Sequence, residues 1–210
     1  MKSSLRYDPA EAVAHLRTQD AILAGLIDRI GACRLEPHRS KNIFAALLRS
    51  IVYQQLHGKA AATILGRVLA ALQPHGGPTP NALAAISDES LRAAGLSRSK
   101  LAAVRDLATK CLEGTIPLWR EAEKLSDDEL VTRLTAVRGI GPWTVHMLLI
   151  FHLGRSDVMP TGDLAIRLAF RKLYRKRRDP KPETILQHAR RWQPYRSVAS
   201  WYLWRTLDPT

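Results

Sequence analysis

The apolar positions of the chain recur at steps of three and four. Phe44, Leu47, Leu48, Ile51 and Val52 follow this spacing, and so do Ala60, Ile64, Val68 and Leu69. It returns in Leu101, Val104, Leu107 and Ala108, and in Leu130, Leu134 and Val137. An α-helix turns once every ~3.6 residues, so such spacing gathers apolar side chains on one face. No sustained stretch alternates with a period of two, so strands are expected to be few or absent. Polar residues supply the punctuation. Pro74-His75-Gly76-Gly77-Pro78-Thr79-Pro80 reads as a loop. Ser87-Asp88-Glu89-Ser90 and Ser126-Asp127-Asp128-Glu129 read as helix starts, each with a capping serine and acidic residues facing the positive end of the helix dipole. Asp179-Pro180-Lys181-Pro182 marks a further break. The expectation is an all-α chain of about nine or ten helices with short connections, no disordered linker and no internal repeat.

Length and charge narrow the class. A chain of 210 residues makes one large domain or two small ones. No apolar run reaches the ~18 residues of a membrane span. The opening residues, Met1 to Asp8, lack the apolar core of a signal peptide. Cys33 and Cys111 are the only cysteines, too few for a disulfide framework or a four-cysteine cluster. A reduced compartment is therefore expected: the cytoplasm with its bacterial nucleoid, or the nucleus in a eukaryote. The 32 Lys and Arg against 19 Asp and Glu leave a net charge of +13 and a pI near 10.3. Such an excess attracts polyanions and favours nucleic acid. A membrane surface would want the cations on one helix face, and here they are spread along the chain.

The most informative segment is Val137-Arg138-Gly139-Ile140-Gly141-Pro142-Trp143-Thr144. It lies between an amphipathic helix and a strongly apolar one. Glycine permits positive φ and leaves no Cβ in the way of a ligand. Proline suits a first helical position, where its missing N–H is not needed. The unpaired N–H groups at that helix start, with the dipole behind them, can hold an anion. Gly139 and Gly141 therefore read either as a tight helix–helix turn or as a sequence-independent grip on a backbone phosphate. The flanking pattern resembles the helix-hairpin-helix motif of DNA repair proteins, over residues about 130–153.

Downstream, Val158-Met159-Pro160-Thr161-Gly162-Asp163 precedes another helix. Hairpin, apolar helix, Pro-X-Gly-Asp and helix together resemble the helix-hairpin-helix DNA glycosylase superfamily, and its alkyl-purine branch, DNA-3-methyladenine glycosylase II. Three more segments are similar to that branch: Ser50 to Ala61, Gly95-Leu96-Ser97-Arg98-Ser99-Lys100, and Trp192 to Trp204. The likeness runs from about residue 40 to 207. It implies a compact multi-helix fold of two helical lobes with an active-site cleft between them. The whole chain 1–210 would be a single helical glycosylase domain, without the N-terminal β domain of some relatives.

The resemblance also implies roles. Asp163 is the catalytic carboxylate; as a residue before a helix it also reads as an N-cap. Leu56, with His57 as its rival, is the wedge that fills the space left by a flipped nucleotide; both fall near the end of the Ile51-containing helix. Trp143, Trp204, Tyr53 and Met147 line the base pocket, Met147 standing where relatives carry an aromatic. Gly139, Gly141, Thr144, Arg98 and Lys100 follow the DNA backbone. The carbonyls of Val137 and Ile140 could hold a structural Na+ or K+; no other cofactor is expected. Strand-cutting relatives carry a lysine at the position of Trp143, so the implied enzyme is monofunctional. Its partner would be double-stranded DNA with alkylated bases, and it would act as a monomer. Two alternatives stay open: a non-catalytic hairpin DNA-binding protein, and a glycosylase for other lesions such as hypoxanthine or uracil.

Overall fold

The structure is a computed structural model that describes residues 5–38 and 42–208. Among the described residues there are thirteen α-helices and no strand. The first six are α1 (Pro9–Gln19), α2 (Ala21–Ile30), α3 (Ile43–Tyr53), α4 (Gly58–Leu72), α5 (Pro80–Ala85) and α6 (Asp88–Ala93). There follow α7 (Arg98–Leu112), α8 (Trp119–Ala122), α9 (Asp127–Thr135) and α10 (Pro142–Phe151). The chain closes with α11 (Leu164–Leu173), α12 (Pro182–Ala189) and α13 (Arg196–Arg205). The count exceeds the nine or ten expected. The surplus includes α5 and α8, of six and four residues. Fewer than two turns cannot display a period.

The described residues form two compact units, one running without interruption up to Val145, the other joining the residues before 39 to those from His146 onward. In the continuous unit, α7 packs on α3, α5 and α6, and α4 packs on α3 and α6. Its helix starts are built as the sequence suggests. Ser87 and Ser97 accept from the N–H groups of Ser90 and Lys100, and Ser126 and Glu129 cap α9 reciprocally. Arg105 on α7 binds the Asp88 carboxylate at 2.6 Å and the Ile86 carbonyl at 2.5 Å, fastening the short helices α5 and α6 that propensity alone would not hold. In α4 the buried stripe is Ala61, Val68 and Leu72, whereas Ala60 lies exposed.

In the split unit, α13 packs against α1, α2 and α11. Every residue from Ser197 to Leu203 is buried, so this helix has no polar face and forms the centre of its unit. Around it lies a polar cluster. Asp20, 5% exposed, caps α2 by accepting from the N–H groups of Ile22 and Leu23, both at 3.1 Å. Its other oxygen takes bonds from the Tyr174 hydroxyl at 2.8 Å and the Trp192 indole N–H at 3.1 Å, and lies 3.0 Å from His188 Nε2. Burial works against this carboxylate, but the bonds from His188, Leu23, Tyr174 and Trp192 outweigh it and hold its pKa well below the usual range.

Candidate functional site

The hairpin lies at the C-terminal end of the continuous unit. Gly139 adopts φ +80°, which glycine tolerates without strain. The Ile140 N–H closes the turn on the Val137 carbonyl at 3.0 Å, and Pro142 opens α10. Two side chains hold this turn from outside. Gln54 Nε2 donates to the Gly139 carbonyl at 2.8 Å. The Asp106 carboxylate accepts from the Arg138 N–H at 2.6 Å and from Lys110 at 2.5 Å. Burial disfavours the charged Asp106, yet the bonds from Lys110 and Arg138 prevail and hold its pKa low.

Gln54 also begins the segment that carries Leu56 and His57, the two residues expected to act as a wedge. Helix α3 stops at Tyr53 because Gln54 turns extended and Gln55 takes φ +56°. Leu56 and His57 therefore stand beyond that helix, in the connection to α4, of which His57 is the N-cap. Leu56 is 39% exposed, and His57 is exposed as well. The Gln54–Gly139 hydrogen bond thus fastens the segment that carries Leu56 and His57 to the hairpin turn. Sequence reasoning gives Gln54 and Asp106 no role, since their partners lie 85 and 32 residues further along.

Two of the residues expected along the DNA backbone are also engaged by the fold. Lys100 Nζ donates to the Val52 carbonyl at 2.7 Å and so caps the last turn of α3. Burial draws its pKa down. One of the three ammonium donors thus serves the fold. Thr144 is 6% exposed and turns its side chain into the protein. Arg98 is exposed at the first position of α7. That is the end where a cation opposes the helix dipole.

Trp143 follows Pro142 and is 48% exposed, a large apolar surface at the start of α10. Tyr53 is half-buried, with the Arg49 guanidinium over its ring at 3.9 Å. In the split unit, Trp204 stacks on Phe151 with centroids 5.6 Å apart and planes at 28°. Met147, half-buried, lies one turn before Phe151. Phe151 escapes sequence reasoning because it ends an apolar run that reads wholly as core. Trp192 and Trp201 are core residues, which leaves Trp204 as the C-terminal tryptophan with surface to offer.

Asp163 caps α11: its carboxylate accepts from the Ile166 N–H at 3.0 Å. The preceding turn closes by the Asp163 N–H donating to the Pro160 carbonyl at 2.9 Å. The residue is half-buried. Its orientation is therefore fixed by a local turn on one side and a helix on the other. No group of three or more His, Cys, Asp or Glu side chains with metal-binding geometry occurs among the described residues, and both cysteines are free thiols. No helix of the described residues is long and apolar enough to cross a membrane.

Comparison with known proteins gives this geometry its context. Residues 48–194 match the HhH-GPD superfamily of base excision DNA repair proteins. The chain is 40% identical over 199 residues to DNA-3-methyladenine glycosylase 1 of Schizosaccharomyces pombe, covering 93% of this chain and 86% of that protein. The solved structure of the S. pombe enzyme in complex with abasic DNA aligns with a TM-score of 0.78 over 93% of this chain and 95% of that one. A DNA-3-methyladenine glycosidase from Bacillus halodurans aligns with a TM-score of 0.84 at 34% identity, covering 98% and 92%. DNA-3-methyladenine glycosylase 2 of Escherichia coli is 28% identical, over 91% of this chain and 68% of that protein. By this family match over residues 48–194 and the 40% identity to a relative covered over 86% of its length, the chain belongs to the HhH-GPD superfamily of base excision DNA repair proteins.

Proposed function

We infer that this chain is a DNA glycosylase of base excision repair, which removes alkylated bases from DNA by cutting the N-glycosidic bond. The observation that carries this reading is the 40% identity to a 3-methyladenine glycosylase, maintained across 93% of the chain. Its partner is DNA, and it works where DNA is, in a nucleoid or a nucleus. We further propose that its substrates are alkylated purines of the 3-methyladenine and 7-methylguanine type in duplex DNA, and that it acts as a monomer leaving an abasic site.

The residues supply each step. Gly139 and Gly141 let a backbone phosphate approach the N-terminus of α10, whose N–H groups and dipole favour an anion. The carbonyls of Val137 and Ile140 would hold a Na+ or K+ against that phosphate. The Val137 oxygen already accepts one bond, from Ile140, and keeps a second lone pair. Leu56, or His57 beside it, fills the stack when the nucleotide swings out, offsetting an unstacking cost of a few kcal/mol. The flipped base, cationic when alkylated, is attracted to aromatic faces; Trp204 and Trp143 are assigned to it, with Tyr53 and Met147 as further contacts. Such a base leaves readily, so a general acid is not required. Positive charge then develops on the sugar, and the Asp163 carboxylate stabilises it and directs water to it. Asp163 is thus both cap and catalyst. Trp143 cannot form a Schiff base, so the strand stays uncut.

The test is release of methylated bases from methylated duplex DNA by the wild type beside Asp163→Asn. Release by the wild type alone supports the reading. Full release by the variant removes Asp163 from its role. Tight, salt-sensitive binding with no release by either protein favours a DNA-binding module. Release of hypoxanthine or uracil instead assigns a different lesion. A covalent adduct trapped by borohydride would overturn the monofunctional assignment.

A further inference from the structure

Beyond the hairpin, the split unit carries a concentration of positive charge. Helix α11 ends in Arg171 and Lys172, and the chain continues Arg175-Lys176-Arg177-Arg178. Cations in the last turn of a helix answer its dipole. That accounts for Arg171 and Lys172 and leaves the four beyond the C-cap Tyr174 unexplained. Arg171 is partnered, at 2.8 Å from Asp179. Side chains of Arg171, Lys172, Arg175, Lys176 and Arg177 line one concavity of about 580 Å³. Leu168 and Leu207 complete its lining.

The backbone shows why they converge. The Arg175 N–H donates to the Lys172 carbonyl at 3.4 Å and the Lys176 N–H to the Arg171 carbonyl at 3.0 Å. This is the helix-terminating pattern in which the residue after the cap turns left-handed. Glycine is the usual occupant, yet Arg175 stands there with φ +49°. The turn folds Lys176 and Arg177 back toward the helix end. A like-charged cluster and a strained arginine both lower stability, so their presence points to a bound anion.

We propose that this concavity is a second contact for the phosphodiester backbone of duplex DNA, separate from the hairpin grip. It rests on the reading of the chain as a DNA repair enzyme, for which duplex DNA is the polyanion at hand. Asp163 lies at the opposite end of α11, and ten residues at ~1.5 Å each put ~15 Å between them. At ~3.4 Å of axis per base pair, a phosphate held here belongs about four or more steps from the lesion. It comes either from the flank of the same duplex or from a second duplex.

The experiment measures DNA affinity against salt for the full chain. In Arg175→Ala/Lys176→Ala/Arg177→Ala, the slope of log K against log salt should become shallower by about 0.9 for each phosphate the variant no longer neutralises. Base release at saturating enzyme should stay at the wild-type rate. Charge-preserving exchange of Arg175 and Arg177 to Lys should restore the slope. Arg175→Gly separates DNA binding from fold: melting temperature should rise as strain is relieved, while the slope still becomes shallower. A defect seen only with duplexes long enough to extend past the concavity assigns the flank. A defect seen in transfer between duplexes, and not in duplex length, assigns a second duplex. An unchanged slope in the triple variant overturns the proposal, as does a slope that the lysine exchange fails to restore. The two readings fail separately: absence of base release by the wild type removes the enzyme, and an unchanged slope removes this second phosphate site.

Discussion

Replacing Asp20 by alanine strips five bonds from one buried carboxylate. The Trp192 indole N–H, on a side chain with 0% exposure, and the Tyr174 hydroxyl both lose their acceptor. Each buried donor left unpaired costs about 1–3 kcal/mol, and loss of the α2 cap about 1 kcal/mol more. Allowing for relaxation, the expected loss is about 4 kcal/mol, a large part of the ~5–15 kcal/mol that holds an ordinary protein together. For a chain of this size that is a fall in melting temperature of roughly 8–16 °C, at ~2–4 °C per kcal/mol. Asp20→Asn keeps the cap through its carbonyl but turns an amide N–H2 toward three ring groups, so it should fall between wild type and alanine. Melting followed by circular dichroism at neutral pH is the assay. The pH dependence adds a second check. The folded carboxyl is held far below its unfolded value, so its contribution is complete above an ordinary aspartate pKa, about 3.9, and is lost as pH falls below it. The gap between wild type and alanine variant should therefore narrow on acidification from about pH 4. An alanine variant melting within the ~2–4 °C of a single kcal/mol would refute the reasoning.

Other outcomes follow from the site. Leu56→Ala, at an exposed position, should leave stability within about 0.5 kcal/mol and slow base release from paired duplex. Release from a lesion in an unpaired bubble should be spared, and equal slowing on both substrates would contradict the wedge. Lys100→Met should lower stability by about 1 kcal/mol through the orphaned Val52 carbonyl without altering the salt slope of DNA binding. Arg98→Ala should do the reverse, reducing the slope by about 0.9; titrations at several salt concentrations distinguish them. In Gly139→Ala the new Cβ would meet only ordinary contacts, 3.7 Å from Ala103 and 3.9 Å from Gln54. Its cost is that of a left-handed alanine, about 1–2 kcal/mol, seen in melting together with weaker DNA binding.

What can be read from the residues is what they decide locally. Ser87 and Ser126 cap the helices they announce, and Pro142 opens α10 where the Gly-X-Gly-Pro pattern puts it. Asp163 can be placed at a helix start because a cap is a local device. What escapes is settled by distant partners. The Asp20 cluster joins residues up to 172 positions apart, and nothing near Asp20 signals Tyr174 or Trp192. Lys100 looks like a phosphate ligand beside Arg98, and nothing near it signals its bond to the Val52 carbonyl, 48 positions earlier. The end of α3 is hard to place because the left-handed Gln55 is a residue that does not advertise a turn.

The interrupted course of the split unit sets the order of events on the ribosome. The nascent chain delivers α1 and α2 first, then the whole continuous unit, and last the helices that α1 and α2 need. The continuous unit has all its partners in hand by the time α10 emerges and can fold during synthesis. Leu16, Leu23, Leu26 and Ile27, all buried in the finished protein, must wait for α13. Until then they are exposed apolar surface, the kind that chaperones hold and that aggregates when they do not. Asp20 must wait as well, so the cluster that stabilises the native state is among the last to assemble. Truncation shortly before α13 should thus leave a folded continuous unit tethered to an unfinished neighbour.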